Sequence, residues 1–119
     1  VVDINYKFSK KSDDNSFVML YYDFHEQFLN LEKYNKDETY LEVPFKSSNN
    51  INVCLEIKLA NSTISRKITI NNQEKIVRLF LKDIPNNLEE IREICYTIFN
   101  KDNASTGNLQ IGDLKIITR

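Results

Sequence analysis

The feature that most constrains this chain lies in its last third, from Val77 to Ile117. Apolar and polar residues alternate in Val77-Arg78-Leu79-Phe80-Leu81-Lys82, break at Asp83-Ile84-Pro85, and resume in Ile94-Cys95-Tyr96-Thr97-Ile98-Phe99 and in Leu109-Gln110-Ile111. In an extended chain successive side chains point to opposite faces, so each run is a strand with one face on a core. Read along the whole chain, the pattern marks eight strands, at residues 4–8, 17–22, 39–45, 51–59, 66–71, 75–82, 92–99 and 108–117. Many short strands without a long helix make an all-β, two-sheet antiparallel β-sandwich. The inward parity comprises Ile4, Tyr6, Phe8, Val18, Leu20, Leu41, Val43, Phe45, Val53, Leu55, Ile57, Leu59, Ile68, Ile70, Val77, Leu79, Leu81, Ile94, Tyr96, Ile98, Leu109 and Ile111. At about 1.5–3 kcal/mol per buried large apolar side chain, such a set can offset the ordering entropy of the chain.

Two segments depart from the strand pattern. In residues 23–38 the positions of Phe24, Phe28, Leu29 and Leu31 suggest a short helical turn, and Glu89-Glu90-Ile91 suggests another. With only two glycines in the chain, turns at Asn49-Asn50, Asn71-Asn72 and Asn86-Asn87 fall to asparagine, the next residue to tolerate positive φ. A length of 119 residues makes residues 1–119 a single module. The start at Val1 reads as the cut or processed edge of a larger protein. A net charge of −1 with interspersed signs gives no footprint for nucleic acid or an anionic membrane. No apolar run approaches the roughly 20 residues that span a bilayer.

A catalytic centre is hard to assemble from these residues. The single histidine, His25, sits in the irregular segment with no metal-ligand spacing around it. There is no Gly-rich phosphate loop, no Gly-x-Ser-x-Gly elbow and no His-Glu-x-x-His. The expectation is therefore a protein that is not an enzyme. Cys54 and Cys95 form neither a zinc cluster nor a Cys-x-x-Cys redox pair, and both lie on the outward parity of their strands.

The order of the last elements (strand, Asp83-Ile84-Pro85 turn, lead-in, Arg92–Phe99 run, Thr106-Gly107 turn, and a strand carrying Gly112-Asp113-Leu114) resembles the end of a galactose-binding-like jelly roll. This fold is common among carbohydrate-binding modules appended to secreted bacterial glycoside hydrolases. The resemblance implies one sheet of strands 1, 8, 3 and 6 and another of strands 2, 7, 4 and 5. On the outward face of the second sheet, Tyr21 and Phe99 would stack on sugar rings, while Asn52, Glu56, Lys58, Glu93 and Thr97 would meet hydroxyl groups. It further implies a polysaccharide or oligosaccharide ligand, a neighbouring catalytic domain in the same chain, an extracellular or cell-surface location, and a structural calcium for which Asp3 and Asp113 are the matching residue types. Such modules commonly carry tryptophan in the cleft, and this chain has none. A second reading stays open: a protein-interaction or structural sandwich docking a catalytic domain or subunit through Tyr40, Arg78 and Phe80.

If strands 4 and 7 are antiparallel neighbours, two registers keep the side chains on their faces. One sets Cys54 opposite Cys95 and Glu56 opposite Glu93, a like-charge pair. The other sets Glu56 opposite Cys95 and Lys58 opposite Glu93, replacing repulsion with an ion pair of roughly 0.2–1 kcal/mol. The second register, with both thiols free, is the expected one.

Overall fold

The computed structural model describes residues 1–9, 15–25, 27–84 and 88–119. The strands are β1 (Val2–Lys7), β2 (Phe17–Asp23), β3 (Thr39–Ser47), β4 (Asn50–Leu59), β5 (Thr63–Asn71), β6 (Glu74–Phe80), β7 (Ile91–Phe99), β8 (Thr106–Ile111) and β9 (Lys115–Thr118), with short 3-10 turns at Leu81–Asp83 and Asn100–Asp102. They form two antiparallel sheets, one ordered β1-β8-β3-β6 with β9 also beside β3, the other ordered β2-β7-β4-β5. This is the expected jelly-roll order. Strand parity accounts for it: in β4, Ile51, Val53, Leu55, Ile57 and Leu59 are buried while Asn52, Cys54, Glu56 and Lys58 alternate with them on the other face.

The expected inward set lies in or against the core, with Ile4, Val18 and Leu20 only partly buried near the sheet edges. Ile51, which the parity list passed over, is fully buried. Among the described residues, the segment between β2 and β3 contains turns and no helix. Leu29 instead exchanges both backbone hydrogen bonds with Ile91, and the Leu31 N–H donates to the Leu88 carbonyl. Leu31, Leu88, Ile84 and Ile91 are thereby all buried in the core, so Leu31 closes one end of the sandwich. Glu89-Glu90-Ile91 likewise forms no helical turn, and Ile91 opens β7.

The final strand was expected to be continuous and is broken between β8 and β9. Pro44 lies opposite the break: its carbonyl accepts the Gly112 N–H at 2.8 Å. Paired residues in an antiparallel ladder exchange N–H and C=O on one side. Pro44 therefore lacks its donor on the side where the partner strand kinks, the kind of irregularity to which proline is confined in sheets. A side chain at position 112 would also collide with the Pro44 ring. Gly107 has a similar role under the Tyr6 ring. Neither glycine has positive φ; among the described residues only His25 and Asn72 do, at 56° and 52°. Asn72 thus performs the expected turn role, and Asn86-Asn87 lies outside the described residues.

Candidate functional site

Three apolar side chains of β2 emerge on the outward face of the β2-β7-β4-β5 sheet: Phe17, Met19 and Tyr21, at 53%, 41% and 56% exposure. They alternate with the half-buried Val18 and Leu20, so the sheet period alone lines them up along the free edge. Phe17 stands opposite Phe99, Met19 opposite Thr97, and Tyr21 opposite Cys95. The Phe17 and Phe99 rings lie 6.0 Å apart, and the Lys101 ammonium sits over the Phe99 ring. The segment after β2 runs to the end that Leu31 closes and leaves these side chains uncovered.

β7 forms the floor of this face. Although they point outward, Cys95 and Thr97 are 0% and 3% exposed, because small side chains on a central strand stand between taller ones on β2 and β4. Thr97, expected to meet a ligand, is thus placed beneath the surface and acts as floor. The pairing between β4 and β7 is the slid register: Thr97 opposite Cys54, Cys95 opposite Glu56 and Glu93 opposite Lys58. Both cysteines are free. The Lys58 ammonium lies 3.4 Å from Glu93 Oε1, and the Cys95 thiol donates to the same oxygen at 2.7 Å.

Burial, then the hydrogen bond to Glu93 and that carboxylate's charge, push the Cys95 thiol up to about 12. The Lys58 ammonium is held above its ordinary range by the Cys95 sulfur when ionised and by Glu93; at neutral pH, with Cys95 a thiol, Glu93 has this effect. The face therefore carries a fixed carboxylate–ammonium pair beside the aromatic edge, with Glu56 next to it.

Asn52 reaches this face with its polar groups already engaged. Its backbone N–H donates to Asn103 Oδ1 at 2.7 Å, its side-chain amide donates to the Asp102 carbonyl at 2.9 Å, and its Oδ1 accepts from the Thr69 hydroxyl at 2.8 Å. Asn103 completes the clamp by donating to the carbonyls of Asn52 and Phe99. Asn52 thus fixes the 3-10 turn beside Phe99. Sequence reasoning missed Asn103; the strand parity that exposes Tyr21 also puts Phe17 and Met19 on this face, although neither is in the set expected to contact a ligand.

Asp3 and Asp113 have separate partners. Asn108 donates to Asp3 and to Asn5, and Asp113 lies 3.7 Å from the Val1 nitrogen. Among the described residues no group of three or more His, Cys, Asp or Glu side chains converges as metal ligands would. On the opposite sheet, Tyr40 and Phe80 do meet, with ring centres 5.2 Å apart. Arg119 lies over both rings, Arg78 over Tyr40 and Lys82 over Phe80, so the chain's own cations already cover that patch.

No family model and no curated protein sequence matches the chain. Solved structures do match it. A carbohydrate-binding module of family 28, described as specific for non-crystalline cellulose, has a TM-score of 0.66 at 12% identity, over 98% of this chain and 75% of its own. The family 11 module from Clostridium thermocellum, in complex with a β-1,3-1,4-mixed-linked tetrasaccharide, has a TM-score of 0.64 at 14% identity, over 98% of this chain and 74% of its own. The fold is that of carbohydrate-binding modules. It also matches part of PfGH50B, with a TM-score of 0.69 at 11% identity, where 88% of this chain aligns with 19% of that protein. The chain therefore spans about a fifth of PfGH50B and about three quarters of the two modules.

Proposed function

We propose that this chain is a non-catalytic carbohydrate-binding module that holds a polysaccharide against the outward face of the β2-β7-β4-β5 sheet. The observation that carries this reading is the row of Phe17, Met19 and Tyr21, exposed beside Phe99 and next to the Lys58–Glu93 pair. Rings of this kind stack on the C–H faces of pyranoses, and Lys58, Glu93 and Glu56 offer donors and acceptors for hydroxyl groups. Thr97 supports the floor, and Asn52 holds the turn next to Phe99. The fold shared with modules described as binding non-crystalline cellulose or a mixed-linked tetrasaccharide favours a β-glucan as the ligand class. In this reading the module belongs to a secreted bacterial protein of galactose-binding-like lineage, works outside the cell, and is an accessory to a neighbouring catalytic domain.

Affinity gel electrophoresis in soluble β-glucans, mannans and xylans tests the reading. Retardation by a β-glucan is expected, and Phe17→Ala and Tyr21→Ala should each weaken it by about 1–2 kcal/mol, the scale of a truncated aromatic anchor. Unchanged mobility of the wild-type protein in every polysaccharide would rule the reading out.

A further inference from the structure

On the side of the sandwich where β1 and β2 form the free edges of their sheets, the two layers part around a cavity of about 480 Å³. Its walls are Leu20, Tyr22 and Phe24 from one layer's edge, Tyr96 from β7, and Ile111 and Leu114 from the other layer. Small-molecule sites typically enclose about 300–1,000 Å³, with apolar walls and a few placed polar groups. This cavity matches both criteria. The β8–β9 break contributes to it, because Gly112, Asp113 and Leu114 form part of its lining.

Two observations identify what would fit. The lining is rich in rings: the Tyr22 and Phe24 ring centres lie 4.8 Å apart with the planes tilted by 55°, and Tyr96 also lines the space. Tyr96 is only 7% exposed, and its hydroxyl has no hydrogen-bond partner among the described residues. The hydroxyl keeps some accessible surface, so water can reach it; a wholly apolar guest would strand it, whereas one acceptor or donor on a bound molecule would take the water's place. A sugar would leave most of its own hydroxyls unsatisfied against such walls. The one carboxylate of the lining, Asp113, lies 3.7 Å from the Val1 nitrogen, so the walls hold no unbalanced charge that would select an ion. We infer that the cavity is a second binding site, lying between the sheets and sharing only Tyr21 with the outward sheet face, for an uncharged aromatic molecule carrying one hydroxyl or carbonyl group.

Naphthyl fluorescence of 2-naphthol and 2-methylnaphthalene, which differ in the hydrogen-bonding group, tests this in solution. Wild-type protein should bind both saturably at one site, with 2-naphthol at least fivefold tighter. Tyr96→Phe should abolish that preference while still binding 2-methylnaphthalene. Leu20→Trp, or Leu114→Trp where the first does not fold, should fill the space and remove both signals while leaving polysaccharide retardation as in wild type. Absence of saturable binding by wild type, binding that persists in a folded tryptophan variant, or an undiminished preference in Tyr96→Phe would each overturn the inference. Because the polysaccharide assay is read separately, failure here leaves the sheet-face reading to its own test.

Discussion

Asn103→Ala offers a sharp test of how the aromatic face is held. Asn103 is buried; it accepts from the Asn52 N–H at 2.7 Å and donates to the carbonyls of Asn52 and Phe99 at 3.1 and 2.8 Å. Its side chain thus substitutes for a strand partner at the start of β4 and ties that strand to the end of β7. A net hydrogen bond is worth about 0.5–1.5 kcal/mol, and a buried group left unpaired costs about 1–3 kcal/mol. Removing this side chain should therefore destabilise the fold by about 2–4 kcal/mol, read as a lower urea midpoint at an unchanged slope. Asn103→Asp should not rescue it, because a carboxylate keeps the acceptor but faces two carbonyl oxygens. The same burial makes the Asn103-Ala104-Ser105 sequon a structural element that a glycan could not occupy without breaking the clamp. A midpoint within about 0.5 kcal/mol of wild type, the usual effect of a surface substitution, would refute the clamp.

Leu79→Ala and Ile98→Ala, both at buried positions, should each cost about 2–5 kcal/mol in urea unfolding, and near-wild-type midpoints would reverse the parity assignment. Thiol titration of the denatured protein without reductant should count two reactive groups; in the native protein Cys95 should be unreactive, and a denatured count of zero would require a disulfide and a different register. Stability should fall as pH rises from about 9 towards 12, because the Cys95 thiol and the Tyr96 phenol are pushed up to about 12 from ordinary values of 9.0 and 10.0. Over that window the native state keeps protons that the unfolded chain has lost, so stability decreases by at most about 1.4 kcal/mol per pH unit for each group. Alkaline denaturation that is insensitive to Tyr96→Phe and Cys95→Ala would contradict this account.

Parity along the strands made the two-layer core legible, and with the jelly-roll resemblance it also led to the sheet order and the β4–β7 register. The legible information ends where the deciding contact lies far away along the chain. Pro44 and Gly112 break the last strand only because the fold places them together. Asn52 and Asn103 look like surface amides until β4 meets the turn after β7. Phe24, Leu29 and Leu31 suggest a helical turn in sequence, whereas in the fold Leu29 and Leu31 bond to Ile91 and Leu88 and Phe24 packs beside Tyr22. Thr97 has outward parity, yet parity fixes direction and says nothing about the height of the neighbours. Phe17 and Met19 were legible by the same rule as Tyr21, since all three share one face of β2.

Amide chemical-shift mapping with a soluble β-glucan oligosaccharide tests the sheet-face site most directly. The account predicts saturable shifts concentrated on Phe17–Asp23, on the outward residues of β7 from Glu93 to Phe99, and around Glu56 and Lys58. Shifts centred instead on Tyr40, Arg78 and Phe80, or an unchanged spectrum at saturating oligosaccharide, would contradict it.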